Sequence, residues 1–249
     1  MRSCVLSSDA PRTPARPTRP ETGDRVNLDE LRNRYTGNRA SRYEAERAGT
    51  SQWRREHEVV ADMLRATRLS PADTVLDIPV GTGRFFSIYS DIGSPVLGID
   101  ASADMLEIAR AAARDHGLSE ANLRLGDITN LDLDTDSVEV SVCIRIMNLL
   151  DWNDFQAALA GLRRVTRQTI VVGVQPRAPL PIQGCGFRTN LTAARDRLLR
   201  RPESSTTTAH PERVVHREFA KQNLEVEERR RVGGSPRVPY YIYRLRVRD

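Results

Sequence analysis

The stretch Thr74-Val-Leu-Asp-Ile-Pro-Val-Gly-Thr-Gly-Arg84 decides how the rest of the chain is interpreted. The apolar and β-branched residues around Asp77 favour a buried strand. A turn with Gly81 and Gly83 follows, and a helix-like run begins near Phe85. Glycine lets a ligand approach the backbone closely, and a helix start offers free N–H groups. The pattern is typical of nucleotide binding, although such turns also simply join a strand to a helix.

Acidic residues follow the next two apolar runs at matching positions. Asp100 ends the run Pro95-Val-Leu-Gly-Ile-Asp, and Asp127 ends the run Asn122-Leu-Arg-Leu-Gly-Asp. A carboxylate at the end of the second strand of a doubly wound sheet is placed to bind ribose hydroxyls. Each acid alone is better explained as a loop residue or a helix N-cap. Together with the glycine turn, however, the three acids predict a nucleotide-type site along one edge of the sheet.

The segment Val75–Ala109 resembles the cofactor half of the class I S-adenosylmethionine-dependent methyltransferases. Leu76-Asp-Ile-Pro-Val-Gly-Thr-Gly-Arg84 matches the Asp-x-Gly-x-Gly-x-Gly loop of that family, and Gly98-Ile-Asp-Ala-Ser-Ala-Asp-Met-Leu106 matches the stretch after its second strand. The likeness extends more loosely to about Pro176. It implies an α/β fold, with a Rossmann-like, doubly wound seven-stranded sheet that has parallel strands plus a C-terminal antiparallel hairpin. It also implies methyl transfer from S-adenosylmethionine (SAM) to an acceptor.

The same likeness assigns the residues of the cofactor site. Asp100 is expected to hold the ribose, and Asp127 with Ile128 to read the adenine. Pro79 stands where the family has its first glycine, which makes the turn stiffer and removes one N–H donor. The residues expected at the cofactor are Tyr43, Asp77, Pro79, Gly81, Gly83, Asp100, Ala101, Met105, Asp127, Ile128 and Ile144.

The periodicity of the chain predicts one domain with a tail. Residues 1–24 are rich in Pro, Arg, Thr and Ser and are expected to be disordered. Residues 25–249 are expected to form one methyltransferase domain, made of N-terminal lid helices (25–70), a cofactor-binding core (71–176), a substrate flap (177–210) and a C-terminal helix and hairpin (211–249). In the lid, one helix face is expected to carry Trp53, His57, Val60, Ala61 and Leu64. By the family likeness Tyr43 covers the methionine end, with Tyr35 as the less favoured candidate and a plain packing role as the alternative.

The acceptor end is less clearly marked. The segment Cys143-Ile-Arg-Ile-Met-Asn-Leu-Leu150 follows the fourth predicted strand, where the family places the transferable methyl. The Asn/Asp-Pro-Pro-Tyr/Phe motif of enzymes that methylate base or glutamine nitrogens is absent. Arg145 and Asn148 are therefore the candidate substrate residues, with a surface salt bridge as the alternative for Arg145. No catalytic residue and no metal ligands are assigned.

Composition bounds the partners. The chain has a net charge of +5, but residues 177–249 hold 16 basic and 8 acidic side chains, against 22 and 25 in the rest. This imbalance favours an anionic acceptor, either a small molecule or a nucleic acid. No run approaches the about 20 apolar residues of a membrane span, and three widely spaced cysteines suit a reducing cytoplasm. A cytoplasmic protein without a metal or a membrane partner is expected.

Two other functions compete for the same residues. A nicotinamide-dependent oxidoreductase would use a Gly-x-Gly-x-x-Gly turn, but Phe86 stands at the third glycine position. Asp77 would also repel a pyrophosphate, whereas it favours a cationic donor. The second alternative is a catalytically inactive protein of the methyltransferase fold that binds RNA through its basic last third.

Overall fold

The computed structural model describes residues 46–177 and 208–248, together with Gly37, Ala40 and Arg42. The expected tail, the lid tyrosines and most of the expected flap lie outside the described residues. Seven strands form a single sheet in the order β3-β2-β1-β4-β5-β7-β6.

The elements alternate along the chain as the periodicity predicts. The strands are β1 (Val75–Asp77), β2 (Val96–Asp100), β3 (Leu123–Leu125), β4 (Val138–Cys143), β5 (Thr166–Val174), β6 (Leu224–Gly234) and β7 (Pro239–Val247). The helices are α1 (Ser51–Thr67), α2 (Phe86–Ile92), α3 (Ala103–Asp115), α4 (Trp152–Val165) and α5 (Glu212–Lys221). Ser102 caps α3, because its hydroxyl accepts a hydrogen bond from the Met105 N–H at 3.3 Å.

The first five strands are parallel and the last two are antiparallel. Strand β1 pairs with β2 on one side and with β4 on the other, which makes it the point where the strand order reverses. Strand β7 lies antiparallel between β5 and β6. The expected fold class is confirmed. In such a sheet ligands bind beyond the carboxyl ends of the strands at the reversal point.

Helices cover both faces of the sheet and bury two apolar layers. One layer packs α4 and α5 against the sheet and includes Phe155, Leu159 and Phe219. The other packs α1, α2 and α3 against the opposite face and includes Met63 and Phe86. Strand β1 is therefore buried on both faces, which explains why its sequence is apolar apart from Asp77.

The turn after β1 extends through Phe85. The sequence predicts a helix-like run from near Phe85, and α2 begins at Phe86. Gly83 has a φ of 80°, and a Cβ built there would lie 2.4 Å from a ring atom of Phe86. The fully buried Phe86 ring thus fills the space under the turn. Phe86 does not push the helix away, because Gly83 leaves room for its ring.

The alternation of Tyr241, Tyr243, Leu245 and Val247 with Arg244, Arg246 and Arg248 along β7 predicts one buried and one cationic face. The structure differs, because Tyr240 and Ile242 are also buried, on the face of the arginines. Further along β7, Arg246 pairs with Glu227, and Arg248 pairs with Glu225. Acids of β6 therefore compensate the charge of these two arginines at the end of β7.

Candidate functional site

A cavity opens at the carboxyl ends of β1, β2 and β4. Its volume, including the open mouth, is about 1050 Å³. The lining residues come from the loops after the strands and from α1, and they include Trp53, Pro79, Gly81, Arg84, Phe85, Asp100, Met105, Asp127, Ile128, Ile144, Arg145, Ile146, Leu149 and Leu150.

Asp100 connects the loop after β1 to the loop after β2 through hydrogen bonds of its carboxylate. Its Oδ2 accepts a hydrogen bond from the Gly81 N–H at 2.8 Å, and its Oδ1 accepts one from the Ser102 N–H at 2.9 Å. Gly81 reaches this position with a φ of 56°, in the left-handed region that favours glycine. Burial raises the pKa of Asp100, while the backbone N–H donors act in the opposite direction. Each carboxylate oxygen has a second lone pair, which can still accept a hydrogen bond from a hydroxyl group.

Asp127 lies at the same end of the cavity, on the loop after β3. Its Oδ1 accepts hydrogen bonds from the Thr129 N–H at 2.8 Å and from the Thr129 hydroxyl at 2.9 Å. These bonds close a local turn that fixes the carboxylate next to Gly126 and Ile128, which also line the cavity. Asp100 and Asp127 therefore face one compartment, as their spacing predicts.

Asp77 lies deeper than the other two acids. It is 1% exposed and is not among the residues that line the cavity. Burial raises its pKa to about 8, against the opposing effect of the nearby Tyr89 hydroxyl. Its Oδ2 makes no hydrogen bond of normal geometry with any described residue. Asp77 is thus a largely protonated carboxyl at neutral pH, below a loop that contacts the cavity.

A buried glutamate connects α1 to the opposite end of the cavity. Glu56 is fully buried, and its Oε2 accepts hydrogen bonds from Arg84 Nη1 and from Arg145 Nε, both at 2.9 Å. Its Oε1 accepts further bonds from Arg145 Nη2 at 2.5 Å and from Gln52 Nε2 at 3.0 Å. One carboxylate therefore positions two guanidinium groups that both line the cavity.

Trp53 completes this wall. The Arg84 guanidinium carbon lies 3.5 Å from the centroid of the Trp53 ring, and Arg84 Nη2 donates to the Trp53 carbonyl at 2.7 Å. Stacking on an aromatic face holds the Arg84 guanidinium flat against α1. Arg84 Nε is buried and has no hydrogen-bond partner among the residues that the structure describes.

The structure brings most of the sequence-predicted residues together. Asp77, Gly83 and Asn148 are not part of the lining. The Asn148 carbonyl instead accepts a hydrogen bond from the Thr208 N–H at 2.7 Å, at the start of the described segment 208–248. Tyr43 lies outside the described residues. The predicted residues on the cavity wall are Pro79, Gly81, Asp100, Ala101, Met105, Asp127, Ile128, Ile144 and Arg145.

Sequence reasoning missed Glu56. The predicted buried face of α1 included His57, but the structure buries Glu56 and leaves His57 half-buried. The signal was present, because Glu56 falls three residues after Trp53 and four before Val60, on one stripe of the helix. An acid inside an apolar stripe indicates a buried partner elsewhere, which is Arg84 here.

Two absences apply to residues 46–177 and 208–248. Within these ranges no cluster of three or more His, Cys, Asp or Glu side chains is arranged to hold a metal ion. None of the helices described there has both the length and the apolarity to cross a membrane.

Sheet order, the glycine loop and the paired acids define a class I, SAM-dependent methyltransferase fold. Residues 75–169 match the family model for a methyltransferase domain. Magnesium protoporphyrin IX methyltransferase from Synechocystis PCC 6803, with bound S-adenosylhomocysteine (SAH), superposes with a TM-score of 0.68 at 14% identity, over 89% of this chain and all of that one. Residues 75–169 are therefore similar to a methyltransferase domain, and the fold that the resemblance implied is confirmed.

Two curated relatives cover the same core. The malonyl-[acyl-carrier protein] O-methyltransferase of Serratia marcescens is 32% identical over 97 residues, which are 39% of this chain and 35% of that protein. The demethylmenaquinone methyltransferase of Renibacterium salmoninarum is 32% identical over 121 residues, which are 47% of this chain and 44% of that protein. The chain thus spans less than half the length of the curated relatives that it matches.

Proposed function

We propose that the protein transfers a methyl group from SAM to a small-molecule acceptor. The observation that carries this proposal is the pairing of Asp100 with the Gly81 and Ser102 N–H groups at the edge of a cavity. This pairing joins the glycine loop to the end of β2, where a nucleoside would be held. An RNA-binding protein without activity would have no need for such a cavity, and the relatives above are all methyltransferases.

The residues on the wall fit this cofactor. Asp100 would accept hydrogen bonds from the two ribose hydroxyls of the cofactor. Asp127 and Ile128, which line the cavity together with Met105, would contact its adenine ring. Arg84 Nε is a buried donor without a partner among the described residues. Since Arg84 lines the cavity, it would complement the carboxylate of an amino acid. When bound, SAM supplies a methyl group on a cationic sulfur, and the protein's contribution is alignment of the acceptor and exclusion of water.

A small molecule fits the acceptor end better than a nucleic acid. Besides Ile144, the wall contains the apolar side chains of Ile146, Leu149 and Leu150. Arg246 and Arg248 of the hairpin pair with acids of β6, so these two arginines offer less to a phosphate backbone than the charge count alone suggests. The matched relatives act on an acyl carrier protein and a quinone by their names, so the likeness does not select an acceptor.

Titration calorimetry with SAM and with SAH tests the cofactor part of the proposal. We expect saturable binding of both, and at least tenfold weaker binding by Asp100→Asn. The amide of that variant would place an NH2 group against one of the two backbone N–H donors. Asp115→Asn, an exposed change at the end of α3, is the matched control and should bind normally.

Transfer of a labelled methyl group to a pool of small metabolites tests the reaction. Label in an RNA fraction and none in the small-molecule fraction would contradict the choice of acceptor. Failure to bind SAM and SAH at millimolar concentration would contradict the whole proposal.

A further inference from the structure

Arg84 is the first residue after the glycine turn, and its guanidinium lies against two aromatic rings. The guanidinium carbon is 3.5 Å from the centroid of the Trp53 ring and 4.6 Å from that of the Phe85 ring. Both aromatic residues also line the cavity. Contact with the faces of aromatic rings favours a cation and limits the orientations that a planar guanidinium can take. The Arg84 side chain is therefore packed in place at the cavity wall, and only 8% of it is exposed.

Hydrogen bonds to α1 fix the guanidinium further. Arg84 Nη1 donates to Glu56 Oε2 at 2.9 Å, and Nη2 donates to the Trp53 carbonyl at 2.7 Å. Glu56 is itself fully buried, and its Oε1 accepts hydrogen bonds from Gln52 at 3.0 Å and from Arg145 at 2.5 Å. Because the carboxylate is held by these partners as well, it is a fixed anchor for Arg84.

One donor of Arg84 is left over by these contacts. Its Nε is buried and has no hydrogen-bond partner within the part of the chain that the structure describes. A buried N–H of a charged group that lacks an acceptor costs free energy, so an acceptor brought by a ligand would be bound strongly. Arg84 belongs to the same loop as Gly81, whose N–H is bonded to Asp100. A ligand that fits both ends of this loop therefore carries a nucleoside at one end and an anionic group at the other.

We infer that Glu56 and Trp53 are positioning residues that hold Arg84 for the carboxylate of the methionine tail, so that cofactor binding depends on this carboxylate. The inference rests on the proposed function, since it states how the same site selects its cofactor. A donor that is fixed before the ligand arrives loses little side-chain entropy on binding, and the hydrogen bond contributes more to affinity. The site should therefore bind weakly an analogue that lacks only the carboxylate.

SAH and decarboxylated SAH test the inference, because they share the nucleoside, the sulfur and the amine and differ in the carboxylate. Both would be titrated into the full-length protein by calorimetry. We expect SAH to bind at least about tenfold more tightly, the usual effect of one hydrogen bond to a charged group. Arg84→Gln should abolish this preference, and Arg84→Lys should restore part of it. Arg114→Gln, an exposed arginine of α3 that pairs with Glu120, is the matched control and should keep the preference.

Glu56→Gln and Trp53→Leu test the positioning roles, with the ratio of the two affinities as the readout. Glu56→Gln removes the charge of the anchor and keeps its size, whereas Trp53→Leu removes the stacked ring and keeps the backbone carbonyl. Each should lower the preference for SAH by at least about threefold, because Arg84 is no longer held in place. Unchanged affinity for decarboxylated SAH shows that the nucleoside end of the site is intact in the variant. Glu58→Gln, at an exposed position of the same helix, should keep the preference.

The outcomes separate this inference from the proposed function. A loss of affinity that is equal for the two ligands in both Glu56→Gln and Trp53→Leu would overturn the positioning roles, since a merely structural role does not change the ratio. Equal binding of SAH and decarboxylated SAH by the unmodified protein would overturn the inference and leave the proposed function intact. Binding of neither ligand would contradict the proposed function together with the inference.

Discussion

Asp77→Asn is predicted to change the pH dependence of folding stability by a defined amount. Burial raises the pKa of Asp77 from 3.8 to about 8. Between these values the folded protein keeps the proton while the unfolded chain has lost it. Stability must therefore fall as pH rises, by about 1.4 kcal/mol per pH unit. This slope amounts to about 2.7 kcal/mol between pH 5 and pH 7 and ends above about pH 8, where the folded carboxyl is also ionised.

Asparagine resembles the protonated carboxyl in shape but does not titrate. The free energy of unfolding of Asp77→Asn minus that of the wild type should therefore increase by about 2.7 kcal/mol from pH 5 to pH 7. Guanidinium unfolding curves followed by circular dichroism at pH 5, 6 and 7, without cofactor, measure this difference. Asp115→Asn controls for the loss of one carboxylate from the surface. A gap between Asp77→Asn and wild type that is equal at all three pH values would refute the assignment of a buried, protonated carboxyl.

Three further predictions concern the same region. SAM should bind more tightly as pH rises from 6 to 8, because a cationic sulfur favours the ionised form of Asp77. SAM binding should therefore release more protons than SAH binding. Calorimetry in buffers of different ionisation enthalpy measures the number of protons released, and equal numbers for the two ligands would contradict the prediction. Gly83→Ala should lower the free energy of unfolding by about 2–5 kcal/mol, from left-handed strain plus overpacking against the ring below it. Gly93→Ala, with a φ of 77° and open space around its Cβ, should lose only the about 1–2 kcal/mol of strain, and equal losses at the two glycines in chemical denaturation would exclude the clash. Glu56→Ala should lower the free energy of unfolding by about 3–5 kcal/mol, because it leaves the paired guanidinium groups without their buried carboxylate. Glu58→Ala, at an exposed position of the same helix, should have little effect. Equal melting temperatures for the two variants in thermal denaturation would contradict the prediction.

The parts of the site that could be predicted from sequence are those set by local pattern. Strand ends are marked by the switch from apolar residues to an acid, so Asp100 and Asp127 could be placed on one edge of the sheet before the structure was known. Gly81 could also be predicted, because the turn after the strand favours a residue that tolerates positive φ. These residues lie close in the fold because parallel strands present their carboxyl ends together.

The remainder depends on contacts between residues far apart in the chain. Glu56 and Arg145 are 89 positions apart, and no local periodicity links them. The depth of Asp77 below the loop depends on how Tyr89 packs under β1, which a strand pattern does not reveal. The pairing of Arg246 with Glu227 across the hairpin likewise could not be predicted, because the linear sequence does not show which residues of the two strands lie opposite each other.

The position of β7 between β5 and β6 has a consequence for synthesis of the protein. Strand β6 leaves the ribosome before β7, yet in the described sheet its only neighbouring strand is β7. Until residues 239–247 emerge, β5 has an open edge and β6 has no strand to pair with. Completion of this end of the sheet must therefore wait for the later strand, and a nascent chain halted after β6 would expose two unpaired strand edges to chaperones and to other nascent chains.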